Sequence, residues 1–230
     1  MSPDKSRFYE SIAQDWDELM DKHELSKRLR LIFGGESPLL RAEDVAGLPV
    51  LDAGSGTGHF SKALMGLGGR LVSLDVGPGL LGVVRAKCPT RPVQGSLLNL
   101  PFSDKTFKAV LCTEVIEHTP DPRAAVKELC RVLAPGGVLV LTVPNKRLKF
   151  ALAIADSLKL RPYGGLENWV GYSELQDWLK EEGVVVERRF GFNLLPHVFF
   201  CRPLFDRLDG LSLLHPLMVN IAVRCRKPEA

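Results

Sequence analysis

The chain lacks any apolar run near the ~18 residues that a membrane-spanning helix requires. Its most apolar stretch, residues 192–218, is interrupted by Pro196, Pro203, Pro216 and several charges. The opening Met1-Ser-Pro-Asp-Lys5 is polar and has no signal-peptide core. A strong charge imbalance is also missing. Thirty Lys and Arg stand against 27 Asp and Glu, for a net charge of +3, and this gives no basis for expecting a nucleic-acid partner. No C-x-x-C pair occurs. The five cysteines (Cys88, Cys112, Cys130, Cys201, Cys225) are odd in number and widely spread, which argues against structural zinc and against a disulfide framework. Reduced thiols fit a cytoplasmic protein. Repeats and low-complexity segments are absent too. What remains is a 230-residue chain, 45% hydrophobic, expected to be a soluble single domain. The apolar 192–218 stretch leaves peripheral contact with a membrane open.

Apolar residues in residues 6–33 recur every three to four positions (Phe8, Ile12, Trp16, Leu19, then Leu25, Leu29, Ile32), which predicts helix up to Gly34-Gly35. A short helix is expected at Leu39–Val45. Strand and helix patterns then alternate. Strands are predicted at Val50–Ala53, Arg70–Leu74, Pro92–Gln94, Ala109–Cys112 and Val138–Val143. Helices are predicted at Gly58–Met65, Leu80–Lys87 and Arg123–Leu133, with a sharp turn at Pro135-Gly-Gly137. Fully apolar strands alternating with helices imply a largely parallel sheet covered on both faces. Further on, Lys149–Leu160 reads as an amphipathic helix. Ser173 reads as the cap of a helix running to Glu182, with Gln176 three residues on. Val184–Glu187 and Val219–Arg224 read as strands.

Between the first strand and its helix lies Asp52-Ala-Gly54-Ser-Gly56-Thr-Gly58. Glycines let the backbone turn sharply and approach a ligand closely, and the helix start offers unpaired N–H groups. The second strand ends in Asp75, 17 residues past Gly58, where a carboxylate is placed to accept from ribose hydroxyls. The G-x-G-x-G spacing, with an acid two places ahead, departs from the dinucleotide fingerprint G-x-G-x-x-G. A carboxylate would repel a pyrophosphate. S-adenosylmethionine has no phosphate, and its cationic sulfonium and amino group suit Asp52. An unliganded βα turn and a nicotinamide or flavin site are the competing readings.

Residues 50–145 resemble a class I S-adenosylmethionine-dependent methyltransferase. Asp52, Gly54, Gly56 and Gly58 match the first family motif, and Asp75 matches the acidic ribose ligand. Leu100-Pro-Phe102 with Asp104 and Phe107 is similar to the family's L-P-F-x-D-x-x-F stretch, and Leu133-Ala-Pro-Gly-Gly137 to its L-x-P-G-G turn. Phe8-Tyr9, Ala13 and Trp16-Asp17 resemble the opening helix of the ubiquinone- and menaquinone-biosynthesis type, which folds over the cofactor. The resemblance implies an α/β, Rossmann-like, doubly wound fold. Its seven-stranded, mostly parallel sheet would carry N-terminal helices and an insertion after the fifth strand. It divides one methyltransferase domain into an N-terminal helical cap (1–46), a cofactor-binding core (47–145), a substrate-side insertion with lid elements (146–218) and a last strand and tail (219–230). Implied cofactor contacts are Tyr9, Trp16, Asp52, Ala53, Gly54, Ser55, Gly56, Gly58, Asp75, Val76, Ser96, Leu97, Thr113 and Glu114. The family often has an acid after the third strand, but here the stretch is Gln94-Gly95-Ser96-Leu97, which leaves Ser96 as a weaker adenine partner.

Cys112-Thr-Glu114-Val-Ile-Glu117-His118 follows the fourth strand, where acceptor and methyl donor should meet. Three readings stand. His118 is a general base for a hydroxyl acceptor. Alternatively Glu114, Glu117 and His118 bind a divalent metal, as in the E-x-x-E-H element of metal-dependent ubiquinone and small-RNA methyltransferases, with His59 or His197 as a fourth ligand. Or the cluster is structural, its carboxylates capping the next helix. The metal is the less favoured entry.

The insertion carries Lys146, Arg147, Lys149 and Arg161 beside Phe150, Leu152 and Ile154. The C-terminal segment adds Phe192, Leu194, Leu195, Phe199, Phe200, Leu204 and Phe205. An apolar pocket with a basic rim suits a hydrophobic acceptor such as a phenol, quinol or polyketide; core packing and a dimer interface are the alternatives for these side chains. The expectation is O-methylation of such a molecule by a monomer or homodimer. C- or N-methylation, a non-catalytic S-adenosylmethionine-binding subunit and RNA 2′-O-methylation are the rivals.

Overall fold

Seven strands form one sheet in the computed structural model, which describes residues 16–149, 168–194 and 207–229. They are β1 (Pro49–Ala53), β2 (Arg70–Asp75), β3 (Arg91–Gln94), β4 (Phe107–Thr113), β5 (Leu133–Pro144), β6 (Val185–Phe192) and β7 (Asn220–Arg226). Their order is β3-β2-β1-β4-β5-β7-β6. The first five are mutually parallel; β7 runs antiparallel to both β5 and β6. The sheet is thus mostly parallel, as the alternating patterns require. The helices among the described residues are α1 (Trp16–Leu19), α2 (Lys22–Phe33), α3 (Ala42–Val45), α4 (His59–Gly66), α5 (Pro78–Lys87), α6 (Pro122–Val132) and α7 (Tyr172–Glu181).

Side chains alternate across a strand, so neighbours in sequence feed different cores. Leu51, Val110 and Leu139 pack on one face with Val126 and Leu129 of α6 and Leu175 and Leu179 of α7. Val50, Ala109 and Val138 pack on the other with Leu64 of α4 and Ile32 of α2. Each fully buried Leu or Val contributes about 1.5–3 kcal/mol, and both faces need cover. That is why β1 and β4 are apolar without a polar face.

Several boundaries differ from those expected. The N-terminal helix is not continuous. Asp21 Oδ1 accepts from His23 N (2.8 Å) and Glu24 N (3.3 Å), so this side chain caps a new helix and breaks the old one. The cap of α7 is also different. Tyr172, not Ser173, begins the helix, and Glu174 Oε2 accepts from Gly171 N (2.8 Å). Pro135-Gly136-Gly137 is not a turn before β5. It lies inside the strand as a register shift, between the pairs Phe107↔Leu133 and Ala109↔Val138. β6 runs to Phe192, well past the expected end at Glu187. Residues 150–160 of the predicted insertion helix lie outside the described residues.

α6 begins with Asp121 at its cap, accepting from Ala124 N (3.0 Å), and Pro122 in the first turn. Two of its side chains clasp the Leu100–Asp104 stretch. Glu128 accepts from Leu100 N (2.8 Å), while Arg131 donates to Leu100 O, Phe102 O and Asp104. Phe102 meets Phe107 edge-on at 4.9 Å. That motif therefore closes the far side of the sheet.

Candidate active site

β1 and β4 lie side by side, and the connections leaving them diverge to opposite flanks; ligands of open parallel sheets bind outside the carboxyl ends at such a point. The loop leaving β1 turns back at once. Gly54 N and Ser55 N both donate to Leu74 O of β2, at 2.8 and 2.9 Å. Gly54 has φ +82°, and a Cβ there would stand 2.5 Å from Val115 Cγ2, so only glycine fits. Gly56, with φ +50°, has nothing within 4 Å of where a Cβ would be, because it borders open space.

That space is a cavity of about 590 Å³, within the usual range for small-molecule sites. The loop residues Gly54, Ser55, Gly56 and Gly58 line it, as do Asp75 and Val76 after β2 and Ser96 and Leu97 after β3. Thr113, Glu114 and His118 close it from β4. Asp75 binds the loop to β2: its Oδ2 accepts from Gly56 N (2.8 Å) and its Oδ1 from Gly77 N (3.0 Å). Ser96 Oγ accepts from Leu98 N (3.2 Å). Ser55 Oγ is buried with no hydrogen-bond partner among the described residues, a polar group placed to meet a ligand.

Asp52 and Ala53 are placed differently. Both are fully buried and neither lines the cavity. Asp52 Oδ2 accepts from Ser61 Oγ (2.6 Å), and the hydroxyl chain continues through Ser73 to Thr90. Burial, with Asp75 nearby, pushes the Asp52 carboxyl up to about 7, against the opposing Ser61 bond. Tyr9 lies outside the described residues, as does the side chain of Trp16.

After β4 the chain makes a left-handed step at Glu114, φ +54°. Its Oε2 accepts from Asn220 Nδ2 (2.7 Å). Burial raises its carboxyl, and Arg28, Thr142 and Asn220 pull the other way. Glu117 is buried in the following 3-10 turn, and its Oε1 lies 3.9 Å from His118 Nε2. Glu114 is thus drawn towards β7 while Glu117 stays beside His118. Among the described residues no three His, Cys, Asp or Glu side chains converge to hold a metal. The less favoured metal-ligand reading therefore finds no such cluster: Glu114 is bonded to Asn220, and Glu117 lies beside His118. His59, its suggested fourth member, bonds to Asp17 instead (2.8 Å); His197 lies outside the described residues. The helix-capping reading also moves: the cap of α6 is Asp121, not either glutamate.

Sequence reasoning missed the N-terminal wall of the cavity. Met20, Leu25 and Arg28 line it, although α2 precedes the glycine loop by many residues. The expected basic rim is only partly visible. Lys146 and Arg147 border a separate cleft of about 540 Å³ with Tyr172 and Arg189, and Lys146 is paired to Glu174 (2.7 Å). Phe192 is a core residue, packed with Val50 and Leu111, not a pocket wall. Phe150, Leu152, Ile154, Arg161, Leu195, Phe199, Phe200, Leu204 and Phe205 lie outside the described residues.

The fold is the Rossmann-like one shared with S-adenosylmethionine-dependent methyltransferases. Residues 51–141, from β1 into β5, match the family model described as a methyltransferase domain. A ubiquinone biosynthesis O-methyltransferase from Xanthomonas oryzae pv. oryzae is 33% identical over 156 residues, covering 63% of this chain and 65% of that protein's own length. The S-adenosylmethionine-dependent methyltransferase from Mesorhizobium loti has the same fold, with a TM-score of 0.64 at 18% identity over 80% of this chain and 93% of that one. A chain from the complex of the Haloferax volcanii Trm112 methyltransferase activator with a methyltransferase gives 0.71 at 19% identity, over 96% and 98%. The cofactor of this class is S-adenosylmethionine. The residues present fit it: a phosphate-free ligand suits a cavity with the Asp75 carboxylate in its wall, and Ser55 offers a buried hydroxyl.

Proposed function

We propose that this chain transfers the methyl group of S-adenosylmethionine to a hydroxyl of a hydrophobic small molecule, a phenol or quinol. The observation that carries the reading is the Gly56–Asp75 bond of 2.8 Å, which brings the acid ending β2 onto the glycine loop at the wall of one cavity. The ubiquinone biosynthesis O-methyltransferases at 33% identity support oxygen as the acceptor atom.

The cofactor supplies a methyl group activated by its sulfonium. The chain's own residues then have three tasks. Asp75 accepts from the ribose hydroxyls, with Ser96 and Leu97 at the adenine end. Arg28 and Glu114, which also line the cavity, would meet the carboxylate and the amino group of the methionine moiety. His118, which lines the cavity, would take the proton of the acceptor hydroxyl. Buried Glu117, 3.9 Å away, offsets the charge the imidazole then carries. The remaining contribution is position, because holding two reactants in line converts much of the entropy barrier into binding.

The test is calorimetry with S-adenosylhomocysteine and with NAD, followed by turnover on a panel of phenols and hydroquinones. Binding of the first ligand alone, with methylated product at oxygen, is the expected result. Binding of NAD, or methylation only at carbon or nitrogen acceptors, defeats the proposal.

A further inference from the structure

A polar cluster on the cavity rim takes no part in holding the reacting groups. Asp17 of α1 accepts from Thr57 Oγ1 (2.6 Å), from His59 Nε2 (2.8 Å) and from Lys87 Nζ. These partners stand 40, 42 and 70 positions away. Thr57 belongs to the glycine loop, His59 opens α4 and Lys87 ends α5. One carboxylate therefore joins the N-terminal segment to the loop and to the helices that follow β1 and β2. Immediately beyond Asp17, Met20, Leu25 and Arg28 form part of the cavity wall. Burial disfavours the Asp17 charge, but Lys87, Thr57 and His59 outweigh it and hold the carboxyl at about 2, so Asp17 stays ionised at neutral pH.

We infer that Asp17 is a positioning residue that seats α1 and the wall residues just beyond it against the cofactor cavity, and that it sets how long the cofactor stays. The physical reason is the number of bonds lost together. A cofactor leaving past α1 needs this wall to move, and moving it breaks three hydrogen bonds to one carboxylate, two at Oδ1 and one at Oδ2, at least one of them charge-assisted. Such a local opening governs release more than it governs chemistry. The inference rests on the cofactor reading above.

The experiment measures S-adenosylhomocysteine dissociation by stopped flow for the wild type, for Asp17→Asn and for Lys87→Met. Hydrogen exchange across residues 17–25 is followed in the same proteins. Asp17→Asn is expected to release the ligand about tenfold faster, the change that ~1.4 kcal/mol produces. Lys87→Met, which removes one tie from the outer helix, should do so severalfold. The KM for S-adenosylmethionine should rise by more than kcat falls, and the exchange of D17/K87 reversed together (Asp17→Lys with Lys87→Asp) should recover part of the loss. Wild-type dissociation rates in both single variants overturn the inference. If the wild type binds no S-adenosylhomocysteine, the cofactor reading fails. Hydrogen exchange then decides the tie alone: faster exchange in Asp17→Asn upholds it, and unchanged exchange overturns it.

Discussion

Asn220 Nδ2 donates to Glu114 Oε2 across 2.7 Å, joining residues 106 positions apart. The chain of contacts continues. Asn193 Nδ2 donates to Asn220 Oδ1 (3.0 Å), Asn193 N donates to Asp209 Oδ2 (2.9 Å), and Asp209 pairs with Lys27 of α2. The start of β7 thus braces the acid at the end of β4, and the same network reaches the helix that carries Arg28. Glu114 and Asn193 both have positive φ, at +54° and +62°. Strain of that kind costs on the order of 1–3 kcal/mol and persists where the surroundings hold it.

Asn220→Ala should therefore act at a distance. It removes the donor and leaves a buried carboxylate oxygen unsatisfied, at about 1–3 kcal/mol. Thermal denaturation should show a Tm lower by roughly 5 °C, and S-adenosylhomocysteine should bind more weakly. An unchanged Tm and affinity would show that the 2.7 Å bond contributes nothing.

Gly54 and Gly56 should respond differently to alanine. At Gly54 the new Cβ meets Val115 at 2.5 Å, so Gly54→Ala should lower stability and abolish cofactor binding together. At Gly56 nothing lies within 4 Å, and only the positive φ is strained, at about 1 kcal/mol. Gly56→Ala should keep most of its Tm while S-adenosylhomocysteine affinity falls at least tenfold. Equal behaviour of the two variants contradicts this geometry.

Asp52 makes stability fall towards alkaline pH. Its carboxyl is raised from 3.8 to about 7 in the folded chain. The folded state thus holds a proton that the unfolded state has released, and the resulting stability is full below about pH 4 and lost as pH rises through 7. Glu114 shifts in the same direction. Asp17 shifts the other way, to about 2, so its contribution is present above about pH 4 and lost only in stronger acid. Between pH 5 and 8 the Tm of the cofactor-free protein should decline, and Asp52→Asn should flatten part of that decline. A wild-type and variant pair with parallel Tm curves would remove Asp52 as the cause.

His118→Ala should lower kcat by about 10²–10⁴-fold if the imidazole is the base. The affinity for S-adenosylhomocysteine should change much less, since the proposed ribose and adenine contacts lie after β2 and β3. His118→Asn keeps some polarity without a proton-accepting ring nitrogen, so it should fail equally. Turnover within threefold of wild type in both variants takes His118 out of the reaction.

Much of this architecture can be read from short stretches of chain. The strands β1, β4 and β5 announce themselves as apolar runs because both of their faces are covered. The loop from Asp52 to Gly58 is legible because a tight turn beside a ligand needs glycine at fixed places. The misreadings have local causes as well. Asp21 and Glu174 compete for backbone N–H groups and move helix starts by a few residues, which periodicity of the apolar positions does not register. Composition leaves Phe192 open between a pocket wall and the core, and the extension of β6 to it decides for the core.

The amino-acid sequence by itself determined the glycine loop after β1, the acid that ends β2 and the order of strands and helices that carries them. Those features depend on neighbours in the chain, whose geometry is set by φ/ψ preference and by periodic burial. Tertiary structure alone decided which distant groups meet: Asn220 with Glu114, Asp17 with Thr57, His59 and Lys87, and Arg28 with the cavity. It also drew Glu114 away from Glu117 and His118. A hydrogen bond between residues 40 to 106 positions apart leaves no local pattern, because its partners are chosen by the packing of whole elements.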